Sequence, residues 1–150
     1  MEAGLKILFA VDGSAYTSKA AEFLVKHFEW FKGPVELHLL HVRLPIPKGL
    51  ALSQAQAILG QDAVEAYYKE EADAAMAPAE KVLRANNIPF QQIYKVGEVA
   101  KEICAYATQN QMDLMVMGSH GHGALANVVM GSVATKVLAT TKDIPVLVVR

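Results

Sequence analysis

The sequence predicts an α/β protein: an open, mostly parallel sheet wrapped by helices on both faces. Three observations predict it. Apolar runs of strand length alternate with segments of helical period, five runs with four helical segments between them. The second run, Val35 to Val42 (VELHLLHV), is apolar at both alternations, as a strand covered on each side requires. No internal repeat, low-complexity tract or linker divides the chain, so residues 1–150 read as one domain.

The elements follow in order. Lys6 to Val11 (KILFAV) is a short strand ended by Asp12-Gly13-Ser14, a turn and helix N-cap cluster in which Asp12 itself is a candidate cap. Ala21, Leu24, Val25 and Phe28 then recur at helical spacing until Gly33-Pro34 stops the pattern. After the second strand, the stretch from Arg43 to Gly60 is rich in Pro and Gly at its start and has no clear period. The longest helical stripe carries Val64, Tyr68, Ala72, Ala75, Ala79 and Val82, with Pro78 inside it expected to kink or split the helix. Tyr67 and Tyr68 are expected to cover the core. Phe90 to Val96 is a third strand, Val99, Ile103, Tyr106 and Ala107 mark a third helix, and Asp113 to Met117 is a fourth strand. Val133, Val137 and Leu138 mark the last helix, and Pro145 to Val149 closes the chain as a fifth strand.

Composition narrows the function. A net charge of -1, without any run of lysines or arginines, argues against DNA or RNA as the main partner. Cys104 is the single cysteine, which excludes an intrachain disulfide and a cysteine-built zinc site; on its helix face it reads as a small buried hydrophobe. The amino-terminal apolar run is too short for a secretory signal, and no segment approaches the roughly 20 apolar residues of a membrane span, so a cytoplasmic location is expected. His38, His41, His120 and His122 lack an accompanying carboxylate cluster, and no protein metal site is assigned to them.

The segment Met117 to Ser132, MGSHGHGALANVVMGS, holds four of the ten glycines and begins where the fourth strand ends. Glycine is costly to order and packs nothing, so this loop has a purpose other than stability. In open parallel sheets, ligands bind beyond the carboxyl ends of the strands where the strand order reverses. Gly131-Ser132 opens a helix there, and free N–H groups at a helix start favour phosphate. The P-loop pattern fails, because Ala124 and Leu125 stand where lysine and a hydroxyl residue belong; the dinucleotide fingerprint fails at Ala126.

The spacing that fits is Gly118, two residues, Gly121, nine residues, Gly131, Ser132. It resembles the G-2x-G-9x-G-[ST] signature of the ATP-binding branch of the universal stress protein family. Further matches lie in VDGS at 11 to 14, LHV at 40 to 42, MGSHG at 117 to 121, GSVA at 131 to 134 and PVLVVR at 145 to 150. The resemblance implies a Rossmann-like, five-stranded parallel sheet in the order 3-2-1-4-5 and a stress-response regulator that binds ATP. It implies a site made of Asp12, Gly13, Ser14, Val42, Met117, Gly118, His120, Gly121, Gly131, Ser132 and Val133. Val42 would meet the adenine, and Asp12 would lie close to the nucleoside and to the Mg²⁺ carried by the phosphates, with no side chain assigned as metal ligand. Gly118 and Gly121 would follow the ribose and phosphates, and Gly131, Ser132 and Val133 would hold the phosphate chain. Three positions depart from the pattern: His122 for arginine, Asn127 for a basic residue and Ala134 for a serine or threonine. Each removes a charge or donor near the phosphates. Dedicated catalysis is not expected beyond slow ATP hydrolysis, and the uncharged terminal strand, at the sheet edge in this order, implies a homodimer.

Overall fold

The computed structural model describes residues 4–46, 60–123 and 128–150; part of the stretch after the second strand, together with Ala124, Leu125, Ala126 and Asn127, lies outside them. The elements are β1 (Leu5–Ala10), α1 (Ala15–Lys26), a short 3₁₀ turn (Phe28–Trp30), β2 (Val35–Arg43), α2 (Gln61–Ala85), β3 (Gln91–Val96), α3 (Val99–Gln109), β4 (Leu114–Gly118), α4 (Ser132–Thr140) and β5 (Val146–Val149). The five strands are parallel, in the order β3-β2-β1-β4-β5. That is the order the resemblance implies.

Strand alternation divides the core in two. Ile7, Phe9, Leu39 and Val116 face α1 and α2, where they meet Ala20, Leu24, Ala72, Met76, Ala79 and Leu83. Their neighbours Leu8, Leu40, Met115 and Met117 face α3 and α4, against Ile103, Cys104, Tyr106, Ala107 and Val137. Because successive side chains point to opposite faces, the central strands need apolar residues at both alternations, and β2 supplies Leu37 and Leu39 to one core and Leu40 and Val42 to the other. Phe9 is fully buried, and its truncation to alanine would cost about 3–5 kcal/mol.

Four expectations are corrected. Pro78 does not split α2, which runs unbroken from Gln61 to Ala85. A proline forfeits one helical hydrogen bond, but Ala75, Met76 and Ala79 around it are buried in the core face, and that packing holds the helix together. Asp12 is not the N-cap of α1: Ser14 holds that position. Tyr67 is 48% exposed and does not cover the core; it and Tyr68 flank the Arg43 guanidinium instead. Phe28 belongs to the 3₁₀ turn that follows α1, with Gly33 (φ +79°) reversing the chain after it.

At the amino end of the sheet, His38 is buried between two partners. Tyr106 donates its hydroxyl proton to Nδ1 at 2.6 Å when Nε2–H points to Glu36 at 3.0 Å. His38 thus serves the packing of α3 against β2 and does not line the cavity described below.

The chain direction positions a cleft. From β1 the chain turns into α1 on one face, and from β4 it turns towards α4 on the other, although β1 and β4 are neighbours in the sheet. Their carboxyl ends therefore diverge, as at the reversal point of any open parallel sheet.

Candidate functional site

A cavity of about 550 Å³ opens between these diverging ends, within the range of small-molecule sites. One wall is apolar, with Leu40, Val42, Val99, Ile103 and Met117. The other is polar and built from the loops after β1 and β4 and the start of α4.

The β1 loop is fixed by Asp12 and Thr17. Asp12 Oδ1 accepts the Ser14 N–H at 2.9 Å and the Thr17 hydroxyl at 3.0 Å. Thr17 Oγ1 in turn accepts the N–H groups of Asp12 and Gly13 at 3.1 and 3.2 Å. Burial pushes the Asp12 carboxyl up, but the hydrogen bonds from Ser14 and Thr17, with His122 nearby, outweigh it and hold the group below its ordinary 3.8. Gly13 has φ +80°, and a Cβ there would stand 3.0 Å from the Ala75 backbone, so only glycine makes this turn against α2.

The β4 loop is held by its own backbone and two histidines. Ser119 N–H donates to Val149 O at 2.7 Å, and Gly131 N–H donates to Ser119 O at 2.7 Å. His120 accepts from Ser119 Oγ at Nδ1, 2.7 Å, and donates Nε2–H to Val128 O, also 2.7 Å. Its ring lies 4.9 Å from that of Tyr16. His122 donates Nε2–H to Asp12 O at 2.8 Å and so ties the β4 loop to the β1 loop.

The glycines here lie in close approach to neighbouring groups. A Cβ at Gly118 would meet Tyr16 Cβ at 2.5 Å, one at Gly121 would meet Asp12 Oδ2 at 2.6 Å, and one at Gly131 would stand 3.1 Å from His120 Cα and 3.2 Å from Ser119 O. Gly131 is the N-cap of α4 and brings no side-chain cap. The first-turn N–H groups of Ser132, Val133 and Ala134 thus have no intrahelical acceptor, and all three residues line the cavity.

The apolar wall carries one polar edge. Leu40 C=O accepts the Val11 N–H, the last bond between β1 and β2, whereas Arg43 C=O accepts the Gly97 N–H on the β3 side. Backbone direction alternates along a strand, so the N–H and C=O of Val42 face the side that β1 has already left. A flat heterocycle against Val42 would find one donor and one acceptor there.

Of the residues expected in the site, Asp12, Val42, Met117, Gly118, His120, Gly121, Gly131, Ser132 and Val133 line the cavity. Gly13 and Ser14 do not: the first packs on α2 and the second is buried at the start of α1. Sequence reasoning missed Thr17 and Ser119. A hydroxyl residue one turn into the helix behind Asp-Gly-Ser was the available signal for Thr17; nothing in the sequence distinguished Ser119. Ala134 also lines the cavity but is 2% exposed. A larger, open groove of about 980 Å³ runs between α3 and α4 on the outer face, over Cys104 and Met112, away from both glycine-bearing loops.

Residues 5–150 match the model of the universal stress protein family. The chain belongs to this family. Universal stress protein YxiE of Bacillus subtilis is 30% identical over 148 residues, covering 97% of this chain and 98% of that one. MJ0577 of Methanocaldococcus jannaschii is 32% identical over 157 residues, covering 97% and 94%. The chain spans only 42% of the length of a third universal stress protein, Slr1230 of Synechocystis, at 32% identity over 97% of this chain. Among solved structures, UspA of Lactobacillus plantarum superposes with a TM-score of 0.72 at 25% identity, over 99% of this chain and 100% of that one. MJ0577 gives 0.69 at 29%, over 96% and 94%. A universal stress protein of Archaeoglobus fulgidus, solved in complex with dAMP, shares the fold with a TM-score of 0.64 at 19% identity, over 97% and 98%. An Arabidopsis thaliana member with AMP bound shares it at 0.64 and 16%, over 97% and 90%.

Proposed function

We propose that the cleft binds an adenine nucleotide, ATP with Mg²⁺ carried on its phosphates, and that the protein is a cytoplasmic stress-response module governed by that nucleotide. The observation that carries this reading is the pairing, in one cavity, of the Val42 backbone edge on an apolar wall with the uncapped start of α4 opposite. The first suits a purine and the second a phosphate. Asp12 lines the same cavity and would meet the ribose. Adenine nucleotides in universal stress proteins of the same fold, dAMP and AMP, support the choice of base.

A dedicated phosphoryl-transfer enzyme fits less well. Such chemistry needs strong positive charge around the leaving phosphates, and no lysine or arginine lines the cavity among the described residues. Gating by bound nucleotide is the reading adopted.

The same proposal includes a homodimer. β5 pairs with β4 on one side, and among the described residues its other edge has no strand partner. A two-fold axis that sets two such strands antiparallel closes this edge.

The test of nucleotide binding is release and rebinding. Denaturation of freshly purified protein is expected to free adenine nucleotide, and the stripped, refolded protein to melt at a higher temperature as ATP and Mg²⁺ are added. At a hundredfold excess over Kd the gain is roughly 2.7 kcal/mol, several degrees for a domain of this size. A folded, stripped protein whose melting temperature ignores millimolar ATP would refute the reading.

A further inference from the structure

The charge of the cavity is unusual for a phosphate site. Its described lining includes one carboxylate, Asp12, and no lysine or arginine; the side chains there able to become cationic are His120 and His122. An imidazole is the side chain whose charge changes between pH 5 and 8. Resting on the nucleotide reading above, we propose that protonation of His122 supplies the cleft with its positive charge, so that acidification strengthens binding of a nucleoside triphosphate more than of a monophosphate.

His122 suits this role better than His120. Both ring nitrogens of His120 are engaged, by Ser119 Oγ and by Val128 O, and its ring packs beside Tyr16. His122 is exposed at the cleft and uses only Nε2, on Asp12 O; its Nδ1 has no hydrogen-bond partner among the described residues. A proton on Nδ1 adds a charge and a donor without breaking that existing bond. The groups around it are of both signs. The loop after β1 presents the Asp12 carboxylate, held ionised by Ser14 and Thr17. On α1 stand Tyr16 and, over its ring, Lys19 at 4.8 Å. His41 of β2 gives its Nδ1–H to Val11 O and does not line the cavity. From α4 only Ser132, Val133 and Ala134 reach the cavity, and Lys136 lines the outer groove.

A triphosphate carries more negative charge past this position than a monophosphate, so the linkage between proton and ligand is larger for it. Since linkage is reciprocal, bound ATP also favours the protonated imidazole. The site thereby reads pH through the length of the phosphate chain it prefers.

Calorimetric titration of ATP and AMP into the stripped full chain, at pH 8.0 and 6.0 and constant ionic strength, tests the assignment against two variants. His122→Gln keeps a donor for Asp12 O but not the charge; His122→Arg keeps a charge at both pH values. Phosphate groups titrate in the same range, so the readout is the difference between wild type and His122→Gln with the same nucleotide. For ATP, the wild type is expected to tighten on the order of tenfold more than His122→Gln between pH 8.0 and 6.0, with a smaller difference for AMP. His122→Arg is expected to bind ATP at pH 8.0 more tightly than the wild type and to show the flatter profile of His122→Gln. Equal pH profiles in wild type and His122→Gln would overturn this inference alone. Absence of nucleotide binding at both pH values would overturn the nucleotide reading and this inference with it.

Discussion

Gly121 rests directly on Asp12: a Cβ at position 121 would stand 2.6 Å from Asp12 Oδ2. The loops that leave β1 and β4 therefore meet at a carboxylate on one side and a bare Cα on the other, at the mouth of the cavity. Asp12 Oδ1 is already committed to Ser14 and Thr17, so movement of the carboxylate away from position 121 strains those bonds.

Gly121→Ala is expected to push the Asp12 carboxylate off its partners. Loss of its charge-assisted bonds should cost about 1–3 kcal/mol of stability, seen as a lower urea midpoint. The same displacement should weaken nucleotide binding at least severalfold by calorimetry. An unchanged midpoint together with unchanged affinity would show that the contact is not a constraint.

Much of this arrangement was legible in the sequence. The alternation of KILFAV and VELHLLHV with helical stripes sufficed for a parallel sheet, because both faces of each central strand are largely buried and both alternations carry apolar residues. The glycine spacing pointed to a loop that lines the cavity, for an incomplete reason. Gly118, Gly121 and Gly131 were expected to follow or hold the nucleotide, yet each also makes room for a protein neighbour: Tyr16, Asp12 and the backbone of Ser119 and His120. Such tertiary contacts between distant segments leave no periodic trace. The roles of Thr17 and His122 were hidden for the same reason, since each is defined by a partner reached only when two loops converge. The expected split at Pro78 failed because a local rule about helices was applied where burial of Ala75, Met76 and Ala79 decides.

Asp12 should also leave a mark on acid stability. Its folded pKa lies below the ordinary 3.8, so its contribution to stability is complete above the unfolded value and is lost as the pH falls through the folded one. Asp12→Asn should thus be less stable than the wild type at pH 7, with the gap closing below about pH 4. Urea midpoints for both proteins at pH 7, 5 and 3 measure this, and a gap that widens on acidification would contradict it.

The proposed dimer predicts a specific weakness in β5. Val148 is half-buried and packs against the α3–α4 face of the core. Val148→Lys is expected to shift light-scattering mass from dimer to monomer at micromolar concentration, because a charge would enter a desolvated contact. Since the substitution also touches the core, a melt must show that the variant stays folded. A monomeric wild type under the same conditions would remove the interface.

The central claim, that the cleft between the β1 and β4 loops holds ATP, is tested most directly by titrating ATP with Mg²⁺ into stripped, folded protein beside Gly131→Val. A branched side chain at 131 would press on the Ser119 and His120 backbone, 3.2 and 3.1 Å from its Cβ, and block the approach to the start of α4. The account predicts saturable one-to-one binding by the wild type, weaker binding of GTP, and loss of ATP binding in a variant that still melts cooperatively. ATP affinity equal in the two proteins, or no saturation by the wild type at millimolar ATP, would contradict it.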